Sequence, residues 1–115
     1  MRKTQQRKGK DLSERGRIIL AHGEVTGHAH EVIADDAIEG IPAAQFFEEP
    51  GGRRVLFVDR PCSLTHQEHG RIALDPSKPE QYRQGDVLLQ PLGPGCWEVR
   101  RQVEYTPAAI RQVAD

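Results

Sequence analysis

Gln45-Phe-Phe-Glu-Glu-Pro-Gly-Gly-Arg-Arg-Val-Leu-Phe-Val-Asp59 is the stretch that decides the fold class. Two runs rich in aromatic and branched side chains, Gln45 to Glu49 and Arg53 to Asp59, flank Pro50-Gly51-Gly52, and this combination reads as a β-hairpin. Toward the N-terminus, Arg17-Ile-Ile-Leu-Ala-His22 is a short strand closed by Gly23. Glu24 to Ile33 follows, with Gly27 bending the chain and a strand beyond it. Asp35 to Ala44, carrying Gly40 and Pro42, is a loop. Toward the C-terminus, Pro61 to His66, Arg71 to Leu74, Asp86 to Gln90 and Cys96 to Tyr105 are further strands. They are separated by Asp75-Pro-Ser-Lys-Pro-Glu80 and Gly93-Pro94-Gly95. Thr106 before Pro107 predicts the N-cap and first position of a short C-terminal helix. Many short strands without alternating helices predict an all-β fold, a small barrel or sandwich ending in that helix.

A chain of 115 residues holds one hydrophobic core, so residues 16–115 are expected to form a single metal-binding β domain. Residues 1–15 are expected to be a disordered basic tail. Up to Arg17 the chain carries Arg2, Lys3, Arg7, Lys8, Lys10, Arg15 and Arg17 against Asp11 and Glu14. No aromatic residue interleaves these charges, so a solvated tail is favoured over a nucleic-acid arm. The net charge of -1 supplies no field for nucleic acid or an anionic membrane. Aromatic residues make up only 5% of the chain, a thin supply for a core, and burial against a second copy as a homo-oligomer is expected. No apolar run approaches the ~18 residues of a membrane span and no signal-peptide core follows the basic start, so a cytoplasmic location is expected. Cys62 and Cys96 show no C-x-x-C spacing and read as buried thiols.

Four of the five histidines fall in two clusters, His28/His30 and His66/His69. Residues at i and i+2 of a strand share a face about 6 to 7 Å apart, so His28 and His30 can converge on one ion. His66, ending the strand from Pro61, supplies the third ligand. Three neutral imidazoles suit zinc, with Fe2+, Mn2+ or Ni2+ accepted by the same donors, and leave a coordination position for water. Glu24 and His69, then Glu68 and Glu31, are candidates for a fourth ligand, a supporting hydrogen-bond acceptor or a proton shuttle. Thr26 and Thr65 lie beside the ligands in sequence, where a hydroxyl can orient a bound hydroxide. His22 reads as a strand-end side chain, and Tyr105 as core packing on a half-buried strand.

At these residues the chain partly resembles the metal-binding cupins, in which a glycine precedes a strand carrying H-x-H and an acid and a further histidine follow. Gly23 lies one residue nearer His28 than that pattern has it, Asp35 stands for the usual Glu, and no P-x-G-x-x-H surrounds His66. A closer resemblance is to small, functionally unassigned bacterial and phage proteins carrying G-E-V-T-G-H-x-H, L-T-H-x-E-H and R-Q-x-E-Y-T-P. Those blocks are Gly23 to His30, Leu64 to His69 and Arg101 to Pro107 here. The resemblance implies that the three blocks belong to one fold. Such relatives open with a Q-G-D-V-L strand, whereas Gln84-Gly-Asp-Val-Leu88 comes late in this chain.

Zinc held by three histidines lowers the pKa of a bound water to about 7, which predicts an enzyme using metal-bound hydroxide on a small-molecule substrate. Carbonic-anhydrase-like hydration of carbon dioxide, a lyase reaction, is the most specific form of that expectation. No P-loop, dinucleotide fingerprint, H-E-x-x-H or nucleophile elbow supports other chemistry. The alternatives are a non-catalytic metal-stabilised or metal-sensing binding module with a closed four-ligand site, and a cupin-like iron or manganese oxygenase or isomerase.

Overall fold

The computed structural model describes residues 9–23, 27–36 and 40–101. Among them the chain forms ten strands and no helix. They are β1 (Lys10–Asp11), β2 (Ile18–His22), β3 (Ala29–Ala34), β4 (Ala44–Glu48), β5 (Arg54–Val58), β6 (Cys62–Thr65), β7 (Ile72–Leu74), β8 (Tyr82–Gln84), β9 (Val87–Gly93) and β10 (Cys96–Arg101). The expected C-terminal helix and Tyr105 lie outside the described residues, as do residues 1–8 of the basic segment.

The deciding stretch is a hairpin, with β4 and β5 antiparallel from Ala44↔Val58 to Glu48↔Arg54. Its loop closes on Glu49, whose carbonyl accepts from the Gly51 and Gly52 amides at 2.9 and 2.8 Å. Gly52 has φ of +92°, a conformation that a side chain would resist. The second sharp hairpin, between β9 and β10, turns at Pro94-Gly95, with Cys96 opposite Gly93. Proline sets the first central dihedral and Gly95, at φ +71°, takes the second.

Two antiparallel sheets result, ordered β1-β4-β5-β10-β9-β8 and β2-β3-β6-β7. Neither closes on itself, which makes the fold a small β-sandwich rather than a barrel. Alternation selects the inward side chains. Phe46, Leu56, Val58, Leu89, Trp97 and Val99 from the larger sheet meet Leu20, Val32, Leu64 and Leu74 from the smaller. Trp97 is fully buried, and its indole N–H donates to the Glu80 carbonyl at 2.7 Å, so the largest core ring leaves no polar atom unpaired.

Two departures from the sequence reading matter. Lys10 and Asp11, expected in a disordered tail, pair with Glu48 and Phe47 of β4. The folded region therefore begins before residue 16. Gly9 permits that approach, since a Cβ there would collide with the Glu48 carbonyl. The Gln84-Gly-Asp-Val-Leu88 segment is not one strand: it folds at Gly85-Asp86 into a two-residue hairpin joining β8 to β9, with Gln84 opposite Val87. Gly85 has φ of +60° and Asp86 does not share the positive φ, the pattern of a type II′ turn.

Cys62 is buried on β6, its thiol donating to the Arg60 carbonyl at 3.2 Å, and burial pushes its pKa up to about 11. At about pH 8 roughly one part in a thousand is thiolate. Native protein treated with a thiol-disulfide reagent at that pH should therefore react rapidly at the half-exposed Cys96 only. Cys62 should react after denaturation, and rapid labelling of both in the native state would contradict the core described.

Candidate metal centre

At one end of the sandwich a cleft of about 390 Å³ is lined by Gly23, His28, His30, His66, Glu68, His69, Gly85, Asp86 and Arg101. The alternation that turns Val32 into the core also turns His30 inward, at 3% exposure, at the end of β3. His28 precedes that strand, where its carbonyl accepts from the Gly23 amide at 2.8 Å. His66 follows β6, and the bend after it brings His69 back over the cleft. Gly85 makes room for that ring: a Cβ there would stand 2.7 Å from His69 Nε2.

The four rings form a connected cluster. His66 lies at its centre, with ring centroids 4.3 Å from His30, 4.6 Å from His69 and 5.8 Å from His28, and His30 and His69 are 5.9 Å apart. Imidazoles radiating from one tetrahedral ion hold their centroids about 5 Å apart, given bonds of about 2.1 Å. The tightest triangle is His30, His66 and His69, with His69 its exposed corner at the mouth, and the expected ligand His28 lies outside the triangle with its side chain 23% exposed. There His28 Nδ1 faces Glu68 Oε1 at 3.7 Å.

Gln84 decides the chemistry of His30. Its Nε2 donates to the Leu64 carbonyl at 3.0 Å and the Gly70 carbonyl at 2.8 Å, so the amide's other end is its oxygen. That oxygen lies 2.8 Å from His30 Nδ1 and can only accept, which assigns a proton to Nδ1. The remaining nitrogen, Nε2, points at Asp86 Oδ1, 3.3 Å away. In a neutral imidazole this sets a lone pair against a carboxylate, a contact relieved by a second proton or a shared cation. Two donors on a tetrahedral ion with bonds of about 2.0 to 2.1 Å stand about 3.3 Å apart.

Asp86 is held in turn by Arg101, whose Nε donates to Oδ2 at 2.7 Å. Burial pushes the Asp86 carboxyl up, but the Arg101 hydrogen bond, its own turn amide and the charges of Arg101 and His30 together hold it below its ordinary value. His66 is held below the ordinary imidazole value, first by burial and then by His30, His69 and His28, against an upward push from Glu68.

Among the described residues no group of three or more His, Cys, Asp and Glu side chains is arranged to hold a metal ion as it stands. His66 supplies a physical reason. Its Nδ1 accepts the Glu68 backbone N–H at 3.0 Å, so in the neutral ring the proton sits on Nε2 and neither nitrogen offers a lone pair to the cleft. Ligation by His66 requires that bond to break.

Other expected site residues lie elsewhere. Thr65 donates its hydroxyl to the Glu31 carbonyl at 3.1 Å and does not line the cleft. Glu31 pairs with Arg17 at 2.7 Å. Asp35, in the place of the cupin acid, follows the far end of β3 and accepts from the Ser63 hydroxyl at 2.7 Å. His22 pairs with Glu14. Glu24 and Thr26 lie outside the described residues. Conversely, Gln84, Asp86 and Arg101 enter the site although none was singled out for it. The tight-turn pair Gly85-Asp86 between polar and apolar runs was a usable signal for the hairpin, but nothing local marks a buried glutamine.

A family whose description is a domain of unknown function (DUF8820) matches residues 1–78, more than half of the 115-residue chain. The chain belongs to that family. The DUF8820 match spans both histidine pairs and ends before Gln84, Asp86 and Arg101. No curated protein and no solved structure matches the chain.

Replacing Gln84 with Leu strands His30 Nδ1 and two carbonyls, and is expected to lower the unfolding free energy by about 1–3 kcal/mol in urea titrations. An unchanged midpoint would contradict the bonding described. Separately, because His66 is harder to protonate folded than unfolded, metal-free protein should have its full stability above the ordinary value of 6.5 and lose some as pH falls below it. Asp86, ordinarily titrating at 3.8, stays ionised in that window. Denaturation midpoints at about pH 7.5 and about pH 5.5 should differ, and His66→Asn should shrink the difference.

Proposed function

We propose that this cleft is a divalent-metal centre, with zinc the ion that best suits its donors, acting on a small substrate by hydration or hydrolysis. The observation that carries the reading is His30 Nε2 set 3.3 Å from Asp86 Oδ1, with a proton held on Nδ1 from behind by Gln84. A hydrogen-bond acceptor behind a ligating histidine is the usual means of aiming its free nitrogen at a metal. His30, Asp86 and His69 would hold the ion, joined by His66 once its contact with the Glu68 amide opens. Bound there, a divalent ion supplies Lewis acidity and brings the pKa of a coordinated water to about 7.

The chain's own residues would perform the remaining work. Arg101 and Gln84 hold Asp86 and His30 in place. Glu68 is exposed at the mouth of the cleft and within reach of solvent, which suits it to carry a proton out. That open mouth favours an exchangeable position over a closed structural site. Asp86 also changes the expected donor set from three imidazoles to imidazoles plus a carboxylate. This moves the reading toward hydrolysis while keeping carbon dioxide hydration among the reactions to assay.

Metal analysis of untagged protein purified without chelator is expected to find about one zinc per chain. His30→Ala should abolish uptake, and zinc addition should shift the Glu68 amide resonance as His66 lets go of it. Chelator-sensitive turnover of carbon dioxide or a small ester would support the enzyme; stoichiometric zinc with turnover of neither would support a binding module. Absence of stoichiometric metal uptake would overturn the metal centre.

A further inference from the structure

Arg101 is the cleft residue that the metal reading leaves partly unused. It ends β10 on the face shared by Trp97 and Val99, so strand alternation delivers its side chain to the end of the core where the two sheets part. Its Nε is taken by Asp86 Oδ2 at 2.7 Å, and its Nη2 reaches the His22 carbonyl at 3.3 Å. A guanidinium carries five N–H donors in a rigid plane, and these two bonds hold that plane while the side chain stays 46% exposed along the cleft.

Charge completes the argument. Among the described residues the cleft's fixed anions are Asp86 and Glu68, and its fixed cation is Arg101. With imidazoles neutral, as ligation demands, a divalent ion leaves these residues net positive, and Arg101 places donors beside it. A pinned, half-exposed guanidinium next to a metal suits the oxygens of a planar or tetrahedral anion, which can accept from the arginine while one oxygen faces the ion.

We propose that the substrate of this centre carries a small oxyanion group, a carboxylate or a phosphate, and that Arg101 is the residue that grips it. This rests on the metal reading of the same cleft. Asp86 has two roles in the arrangement, facing the metal position with Oδ1 and fixing the guanidinium with Oδ2.

The test uses the full chain, loaded with zinc and checked by metal analysis, and titrated calorimetrically with inorganic phosphate and, separately, with acetate. The same titrations are run on Arg101→Gln and Arg101→Lys. The zinc-loaded protein should bind at least one of the two anions, the tighter naming the group. Arg101→Gln saturated with zinc, its loading confirmed by metal analysis, should bind that anion about tenfold or more weakly, and Arg101→Lys should restore part of the binding. Equal anion affinity in zinc-loaded Arg101→Gln would overturn the assignment, because the ion alone would then be doing the holding. Failure of the zinc-loaded protein to bind either anion would also overturn it. A chain that takes up no zinc overturns the metal reading and this inference together, and the metal analysis identifies that case before any anion is added.

Discussion

The buried carboxamide of Gln84 is the constraint on which the cleft end of this sandwich depends. Gln84 belongs to the larger sheet, yet its side-chain bonds reach His30 and Leu64 of the smaller one and Gly70 in the connection between β6 and β7. A buried amide left unpaired costs free energy, so the two sheets are held in the one relative position that satisfies it. The same three bonds settle which nitrogen of His30 carries a proton. Sheet packing and site chemistry are thus set by one side chain.

Everything else in the cleft follows from where strands end. His30 faces inward because Val32 does, two residues along β3, and Arg101 faces inward because Val99 does on β10. The β8–β9 turn adds Asp86 with no intervening loop, and Gly85 leaves space for the His69 ring. Residues distant in sequence meet because hydrophobic alternation runs out at the same end of both sheets, leaving polar positions in line with the core.

Most of the fold was legible in the sequence where strands carry branched or aromatic side chains and are bounded by Gly or Pro. The β4–β5 hairpin, β2, β3, β6, β7 and the β9–β10 pair all have that form. β1 was not legible: Lys10 and Asp11 have no apolar signal, and only the neighbouring edge of β4 makes them a strand. Nor was β8, whose Tyr82 and Arg83 were assigned to no element and whose Gln84 read as part of the strand after it until the turn at Gly85-Asp86 is seen. At the site, histidine spacing put His28, His30 and His66 together with His69 beside them, and all four line one cleft. Two-residue periodicity describes a strand and says nothing about the bend after His66 that places the His69 ring 4.6 Å from that of His66. Thr65 was misplaced for a related reason, since nearness in sequence to a ligand does not reveal that its hydroxyl is used by the next strand.

The division of the cleft between two sheets changes what a bound species would do for the fold. His30 comes from one sheet and Asp86 from the other, so whatever is shared between them spans the seam of the sandwich as a non-covalent cross-link. Occupancy is thereby coupled to the integrity of the whole molecule: a ligand present at a hundred times its Kd adds about 2.7 kcal/mol to global stability.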